Sequence, residues 1–282
     1  MLHALSLIHY PQIDPVMFQI GPVRIRWYGM AYLTGFVLAY LVLGRLVRKN
    51  VLRISKEALS DLVGWLALGV VAGGRTGWWI FYHRDILGQQ ERWWEPIAIW
   101  HGGMSFHGGL AGVLVVLWIW CQVQRAGWLN VADCLALVTP IGLFLGRIAN
   151  FINGELVGRV SHVPWAMIFP GDTQPRHPSQ IYEAILEGPV LLGVVWAVKA
   201  RKRRREGQIA AAFVIAYAII RFLVEFTREP DSQLGYLAFG WLTMGQLLSF
   251  AIGLAGAAWW VALNVSKRRE TPLSRAEKKP KG

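Results

Sequence analysis

The chain has 282 residues, of which 54% are hydrophobic and only 16% are charged, whereas a soluble domain usually carries about 25% charged residues. So many apolar residues cannot be hidden in one water-surrounded core of this size, but they suffice for several membrane-spanning helices joined by short loops. The net charge of +12 resides in short basic clusters between apolar stretches, a pattern that orients a membrane protein and argues against nucleic-acid binding.

The first 26 residues contain no stretch that could span a bilayer. Pro11, Pro15 and Pro22 interrupt them, and their alternating apolar stretch covers only residues 16–20. We therefore expect residues 1–26 to form an arm along the membrane interface. Residues 1–14 lack the basic start and small-residue cleavage site of a signal peptide, so we expect the spanning helices to direct the chain to the membrane.

Seven apolar segments follow, each of about the length that crosses a bilayer. They are predicted at residues 27–46, 59–81, 106–123, 131–151, 180–199, 209–226 and 240–264. The largest basic clusters end the first, fifth and seventh segments, and such clusters mark the cytoplasmic side. The sequence therefore predicts an all-α membrane protein with about seven transmembrane helices, its N-terminus outside and its C-terminus inside.

This arrangement implies a simple domain organisation. Residues 1–266 are predicted to be a single integral membrane domain, in which the proline-rich residues 154–178 form a small periplasmic cap. Residues 267–282 are polar and basic, and we expect them to form a disordered cytoplasmic tail.

Two glycine series predict close helix packing, since glycines spaced by four residues let helix backbones approach each other in lipid. They are Gly69, Gly73 and Gly77 in the second segment, and Gly142 and Gly146 in the fourth. Cys121 and Cys134 both fall near predicted cytoplasmic ends, where the compartment is reducing, so we expect no structural disulfide. Neither cysteine has a neighbouring histidine or arginine to activate its thiol.

Polar side chains interrupt the apolar segments at a few points, where each costs on the order of 3 kcal/mol by insertion scales and so indicates a site or pathway. Arg147 and Asn150 lie at the end of the fourth segment, and Asn153 and Glu155 follow it closely. In the sixth, three polar residues at four-residue steps lie on nearly one helix face: Tyr217, Arg221 and Glu225. Arg75 lies within the second, as either a substrate contact or a buried structural arginine.

These residues belong to motifs that resemble those of a known family. The spacing Gly-Arg-x-Ala-Asn-Phe-x-Asn-x-Glu-x-x-Gly at 146–158 is similar to the signature of the bacterial prolipoprotein diacylglyceryl transferases. Gly-Gly-Met-Ser-Phe-His-Gly-Gly at 102–109 and the segment 175–183 also resemble this family, and the first of these selects His107 over His101. The segment before Pro175 is short for the family, which leaves open how the cap grips a protein substrate.

The resemblance implies transfer of the diacylglyceryl group from phosphatidylglycerol to the lipobox cysteine of a prolipoprotein, as the first step of lipoprotein maturation. It implies an inner-membrane enzyme without cofactor or metal, whose active site faces the periplasm. His107 would be the base, with Arg147 and Arg221 holding the phosphate, and these three are the predicted catalytic residues. The predicted substrate-binding residues are Tyr28, Arg75, Asn150, Asn153, Glu155, Gly158, Tyr217 and Glu225.

Other interpretations of the same residues stay open. Buried arginines bind soluble anions as well as lipid phosphates, so a membrane transporter for an organic anion or a phospholipid is the main alternative. It predicts internal repeats, and we find none that is convincing. An intramembrane serine protease using Ser105 and His107 would need a Gly-x-Ser-Gly elbow, which is missing. His107 could also serve only to cap the third helix, Gly158 only to form a backbone turn, Tyr28 only as an interfacial aromatic and Glu225 only to neutralise Arg221.

Overall fold

The structure, a computed structural model, describes residues 8–82, 103–230 and 235–265. His101 and the predicted tail at 267–282 lie outside these residues.

Within the described residues, seven helical segments coincide with the seven predicted spans. Six of them are long and apolar enough to cross a membrane, and the remaining one, α8, is apolar but has 17 residues. The helices are α1 Trp27–Arg48, α2 Lys56–Tyr82, α3 Phe106–Val123, α4 Trp128–Ala136, α5 Thr139–Ile152, α6 Ser179–Ile185, α7 Leu191–Ala200, α8 Gln208–Val224 and α9 Met244–Val265. Helices α4 and α5 together form the fourth span, and α6 and α7 form the fifth. The helical membrane fold is thereby confirmed.

The chain divides into two compact units, residues 1–39 with 132–282 and residues 40–131. In the second unit, α2 packs on α3 through the predicted glycine series. A Cβ atom added at Gly77 would lie 2.6 Å from the Cα atom of Gly108, and one added at Gly73 would lie 2.8 Å from the Cα atom of Gly112. Only glycine permits this approach, so the prediction for the second span is confirmed.

In the first unit, α8 packs against α7 and α9, and α5 packs against α6. Leu191, Ile220 and Val224 form a buried apolar cluster at the α7 and α8 contact. The N-terminus of α8 is held by the buried Asp133 carboxylate, which accepts hydrogen bonds from the backbone N–H groups of Gly207 and Ala210, both at 2.9 Å. A carboxylate at this position satisfies helix N–H groups that have no partner within the helix.

The fifth span is bent where α6 meets α7. Residues Leu186–Val190 form a π-helical turn that contains Pro189, and Gly188 has non-helical backbone angles. Proline removes a helical hydrogen bond and is a usual cause of such a kink. A Cβ atom on Gly188 would lie 2.8 Å from Phe144 of α5, so the bend also brings the fifth span close against α5.

Short strands connect the N-terminal arm to the segment of residues 154–178. The strands are β1 Ile8–His9, β2 Val16–Ile20, β3 Val23–Arg26 and β4 Met167–Ile168. Strands β2 and β3 form an antiparallel hairpin, and β1 pairs in parallel with β4. The Tyr10 hydroxyl lies 2.7 Å from the carbonyl oxygens of Phe151 and Ile152 at the end of α5. The arm is therefore attached to the helix that carries Arg147, while its position along an interface stays a prediction.

The second predicted glycine contact is present at Gly142 only. A Cβ atom added at Gly35 of α1 would lie 3.6 Å from the Cα atom of Gly142, so the two helices approach each other there. A Cβ atom added at Gly142 or Gly146 would itself meet none of the described atoms within 4 Å, so neither position requires glycine for packing. Cys121 and Cys134 are both buried.

Candidate functional site: a cluster of arginines and glutamates

Three arginines and three glutamates meet in the first unit. Arg147 of α5 binds Glu187 through two nitrogens, with Nε at 2.8 Å and Nη2 at 3.3 Å from its carboxylate oxygens. Its Nη1 atom lies 2.9 Å from Glu183. Arg221 of α8 lies 3.4 Å from Glu183 and 2.8 Å from Glu225. The predicted catalytic arginines therefore do meet, through a carboxylate that both contact.

Arg228 completes this cluster, which we call the arginine–glutamate cluster. Its Nη1 atom donates to Glu183 at 2.8 Å, and its Nε atom lies 3.6 Å from Glu225. Glu183 thus contacts all three arginines. With three positive and three negative groups, the cluster has no net charge, which limits the large cost of placing ions in a poorly solvated interior.

The arginine and glutamate side chains of the cluster differ in how much of their surface is exposed. The arginine side chains are 12 to 18% exposed, whereas those of Glu183 and Glu187 are fully buried and that of Glu225 is 8% exposed. The glutamates therefore lie behind the arginines, and an incoming ligand meets guanidinium groups first. Guanidinium groups bind phosphate oxygens in pairs and stay charged at any physiological pH.

Glu183 and Glu187 were not predicted as functional residues, although the sequence contained a signal for them. Both lie in the apolar fifth span, four residues apart, and carboxylates in such a span usually face a protein interior. Helix periodicity places them on one face, and the turn at 186–190 carries that face to α5.

Tyr217 of α8 lies next to the arginine–glutamate cluster. Its side chain packs on the Leu191 cluster and stacks on Phe213, with ring centroids 6.0 Å apart. Its phenol is close enough to Arg147 and Glu187 to interact electrostatically with both. The predicted face of α8 is therefore assembled around the arginine–glutamate cluster.

The predicted polar residues after α5 form a connected group of their own. The Asn150 side-chain amide donates to the Glu155 carboxylate at 2.8 Å, and that of Asn153 does so at 3.4 Å. The buried Gln180 donates to the Glu155 carbonyl at 2.7 Å. Since Gln180 lies on α6 one turn before Glu183, this loop is fastened to the helix that carries the central carboxylate.

Tyr28 lies in the first turn of α1 and packs against Tyr32 of the next turn, with ring centroids 5.2 Å apart. The Tyr32 phenol bonds to Tyr28 and is close enough to Arg147 and Glu155 to interact with both charges. Sequence reasoning missed Tyr32, although its spacing of four residues from Tyr28 places both on one helix face. Tyr28 is thus linked to the cluster through Tyr32.

Gly158 lies where three backbone segments cross. Its N–H donates to the His177 carbonyl at 3.0 Å, and it forms an isolated β-bridge with Arg228. An added Cβ atom would lie 2.5 Å from the carbonyl oxygens of both His177 and Thr227. Any side chain would force these segments apart, so the geometry assigns Gly158 a role in holding the backbone that carries Arg228.

His177 joins this crossing to the start of α6. Its Nδ1 atom lies 3.1 Å from the Tyr182 hydroxyl, which also accepts a hydrogen bond from the Trp165 indole. The hydroxyl can then donate to Nδ1 only when the imidazole is neutral. Burial lowers the pKa of His177 below its usual value, because burial disfavours the charged imidazolium.

His107 and Arg75 belong to the second unit. His107 lies in the first turn of α3, is exposed, and packs edge-on against Phe106 at 5.7 Å between ring centroids. Ser105 is the N-cap, and its hydroxyl accepts the Gly108 N–H at 3.2 Å. The helix-capping role considered for His107 is therefore filled by Ser105.

Arg75 is a buried residue of α2. Its guanidinium donates to the Gly103 carbonyl at 3.2 Å and lies 4.4 Å from the centre of the Trp78 ring. These contacts hold the loop that leads to His107, so they favour the structural interpretation of Arg75. Among residues 8–82, 103–230 and 235–265, no group of His, Cys, Asp and Glu has the arrangement of a metal site.

Comparison with known proteins shows which family this chain is similar to. The family model of prolipoprotein diacylglyceryl transferase matches residues 15–262. The chain is 48% identical over 256 residues to the phosphatidylglycerol–prolipoprotein diacylglyceryl transferase of Legionella pneumophila strain Paris, covering 90% of this chain and 99% of that protein. It is 48% identical over 273 residues to the protein of the same name from Azotobacter vinelandii, covering 95% and 100%. The corresponding protein of Pseudomonas paraeruginosa is 49% identical over 259 residues, covering 90% and 95%.

Proposed function

The chain belongs to the prolipoprotein diacylglyceryl transferase family, and from this membership and its arginine–glutamate cluster we propose that it transfers the diacylglyceryl group of phosphatidylglycerol to a prolipoprotein. The acceptor is the thiol of the lipobox cysteine. The sulfur forms a bond to the terminal glyceryl carbon while the bond from that carbon to the phosphate oxygen breaks. Glycerol phosphate leaves with the electron pair, and the product is a thioether.

The observation that carries this proposal is the exposure of the arginines in front of the buried glutamates. A phosphate that reaches the cluster from the membrane meets Arg147, Arg221 and Arg228 on its accessible side. Negative charge grows on the phosphate oxygen as its bond to carbon breaks, and fixed guanidinium groups that bind this charge more strongly in the transition state accelerate the step. Arg147 and Arg221 take this role, with Arg228 as a third contact.

The glutamates hold the arginines in place before the lipid arrives. A guanidinium has five N–H donors, and in Arg147 those on Nε and Nη2 are engaged by Glu187. This pairing fixes the plane of the guanidinium, so that little rotamer freedom is lost when a phosphate binds. We assign Glu183, Glu187 and Glu225 to positioning rather than to bond making.

His107 is proposed as the base that takes the thiol proton. The thiolate is the attacking species, and an imidazole with a pKa near neutrality is suited to form it. The finding that Ser105 caps α3 supports this role, because it leaves the imidazole out of the cap.

We assign the remaining substrate contacts to residues that lie next to the arginine–glutamate cluster. Asn150, Asn153 and Glu155 would orient the hydroxyls of the lipid head, and Tyr28 would close the lipid pocket. Tyr217 and Glu225 would hold Arg221, in agreement with their contacts to it. Arg75 and Gly158 support the backbone of functional segments.

We propose the orientation of the protein in the membrane from the positions of its basic clusters. The protein is a multi-pass membrane protein, and its basic clusters at 45–56, 199–205 and 267–269 assign those ends to the cytoplasm. The arginine–glutamate cluster then faces the periplasm in the inner membrane, where a lipobox cysteine would be reached. Maleimide labelling of single cysteines placed at 205 and 172 in intact cells tests this, with labelling of position 172 alone expected.

One experiment separates the transferase from an anion or phospholipid transporter. Purified protein is incubated with phosphatidylglycerol carrying labelled acyl chains and with a lipobox peptide. Label should appear on the peptide cysteine, and His107→Gln or Arg147→Ala should abolish it, while the matched exposed-charge control Arg48→Gln should retain it. A transporter would leave the peptide unlabelled.

The nucleophile is tested with the same assay. The Cys121→Ser, Cys134→Ser double variant should retain transfer, because the substrate supplies the thiol. Loss of transfer in a normally folded double variant would replace this mechanism with one that uses an enzyme-bound intermediate.

A further inference from the structure

The start of α9 lies against the arginine–glutamate cluster, although the transfer reaction proposed above uses no residue of this helix end. The hydroxyl of Thr243, the residue before α9, donates a hydrogen bond to Oε1 of Glu225 at 2.9 Å. Both residues are buried, and both belong to the unit that holds the cluster. Thr243 is therefore a direct partner of one of the three glutamates.

The two oxygens of the Glu225 carboxylate have different partners. Oε2 lies 2.8 Å from Nη2 of Arg221 and 3.6 Å from Nε of Arg228, whereas Oε1 accepts the hydrogen bond from Thr243. The terminal torsion of a glutamate side chain has a broad distribution and no strong preference of its own. The Thr243 hydroxyl therefore restrains the rotation of the carboxylate that presents Oε2 to the two arginines.

The Thr243 side chain is itself held by the first turn of α9. Its oxygen accepts the Gln246 N–H at 3.3 Å, and the Gln246 side chain accepts the Thr243 N–H at 3.0 Å. This reciprocal pair is a capping box, which satisfies N–H groups that have no partner within the helix. A hydroxyl has one proton and two lone pairs, so it can accept from Gln246 while it donates to Glu225. The cap thus leaves the Thr243 proton for the carboxylate.

Close packing of α9 on α8 brings this helix end to Glu225. A Cβ atom added at Gly256 would lie 2.9 Å from the Val214 side chain, and small residues permit such an approach of two membrane helices. A Cβ atom added at Gly245 would lie 2.5 Å from Oε1 of Glu225. Glycine at position 245 therefore leaves room for the carboxylate beside the first turn of α9, where the helix dipole favours negative charge.

We propose that Thr243 is a positioning residue for the transfer reaction, because it fixes the Glu225 carboxylate and thereby the orientation of the Arg221 guanidinium toward the lipid phosphate. This inference rests on the proposed function, in which Arg221 binds the phosphate charge more strongly in the transition state. Loss of the hydroxyl leaves all three arginines charged, so lipid binding changes less than the rate. The expected signature is a lower kcat with a nearly unchanged KM for phosphatidylglycerol.

Steady-state transfer to a lipobox peptide, measured well below the melting temperature of each variant, tests this proposal. Thr243→Val keeps the shape of the side chain but removes the hydroxyl, so kcat should fall at least about tenfold, the lower end of what one hydrogen bond to a charged group contributes. Thr243→Ser restores the hydroxyl and should keep kcat within about threefold of the unaltered protein. The control Thr139→Val removes a hydroxyl that donates to the Leu135 carbonyl instead, and its kcat should stay within about twofold.

A second variant separates positioning from helix capping. Gly245→Ala leaves the capping box intact and favours the helix, but its methyl group would displace the Glu225 carboxylate, so kcat should again fall. Gly193→Ala, whose Cβ would meet none of the described atoms within 4 Å, is the matched control and should not lower kcat. If Thr243 only capped α9, Thr243→Val would lower the melting temperature while neither Thr243→Val nor Gly245→Ala lowered kcat, and the proposal would be overturned.

The hydrogen bond is also tested without the transfer assay, by thermal unfolding of a double-mutant cycle. Thr243→Val should lower the melting temperature less in the Glu225→Gln background than in the unaltered protein, because the two changes affect one contact. Additive losses would show that the hydroxyl does not hold the carboxylate, and would also overturn the proposal. An unaltered protein that labels no peptide would contradict the proposed function and this inference with it, whereas labelling with equal kcat in Thr243→Val would contradict the inference alone.

Discussion

Replacing Glu183 with glutamine should destabilise the protein more than any other removal of one charge from the arginine–glutamate cluster. Glu183 is fully buried and contacts Arg147 at 2.9 Å, Arg228 at 2.8 Å and Arg221 at 3.4 Å. Glutamine has nearly the same shape but carries no charge, and its amide donors would oppose the N–H groups of the arginines. Three partly buried arginines would then share two carboxylates.

The size of the effect follows from that imbalance. Breaking a buried ion pair by removing one partner costs about 3 to 5 kcal/mol, because an uncompensated charge remains in a poorly solvated place. For a chain of this length each kcal/mol lowers the melting temperature by about 2 to 4 °C. We therefore expect Glu183→Gln to unfold roughly 6 to 20 °C below the unaltered protein.

Thermal unfolding in neutral detergent, followed by tryptophan fluorescence, measures this difference. The matched control is Glu229→Gln, which removes a carboxylate that lies 2.8 Å from Arg176 but is 54% exposed. An exposed pair contributes about 0 to 1 kcal/mol, so the control should melt within a few degrees of the unaltered protein. If both variants melted alike, Glu183 would not balance the arginines and the account of the cluster would be wrong.

Three further changes test other parts of the site. Arg147→Lys keeps the charge but loses the two-nitrogen contact with Glu187, so transfer measured as kcat/KM should fall by about 10 to 100-fold, since a charged hydrogen bond contributes about 1.5 to 3 kcal/mol. Gly158→Ala should destabilise the protein by about 1 to 3 kcal/mol through overpacking. The control Gly193→Ala should leave stability unchanged, because its Cβ would meet none of the described atoms within 4 Å. Equal melting temperatures of the two variants would contradict this geometry. Burial lowers the pKa of His177, so the unfolded chain binds more protons below about pH 6.5 and stability should decrease as the pH falls through that value. The melting temperature of His177→Gln should change less between pH 7.5 and 5.5 than that of the unaltered protein, and identical pH profiles would exclude this role of His177.

Local properties of the chain were sufficient to predict the membrane helices. Hydrophobicity over about 20 residues and the spacing of glycines are read directly from neighbouring residues. They predicted the helical segments and a close helix contact at Gly73 and Gly77, and the structure shows that the partner is α3. Glycine spacing was a weaker guide at Gly142 and Gly146. Helix α1 does approach the backbone at Gly142, but a Cβ atom would fit at either position, because small residues permit a close approach without requiring one.

Arg147 and Arg221 were also found from the sequence, because an arginine in an apolar segment is costly and indicates a site wherever it occurs. Their partners were harder to identify. Glu183 and Glu187 lie 36 and 40 residues after Arg147, and nothing in the spacing of the sequence states which cation each carboxylate meets.

Composition and motif therefore decided that this chain is a multi-helix membrane protein of one family, with Arg147 and Arg221 at its centre. The packing of α5, α6 and α8 decided that these arginines are joined through Glu183 and that buried carboxylates stand behind them. The local backbone at the start of α3 decided that Ser105 rather than His107 is its N-cap. The reason is physical: hydrophobicity acts on each segment alone, whereas an ion pair depends on where a bent span places side chains that are distant in the sequence.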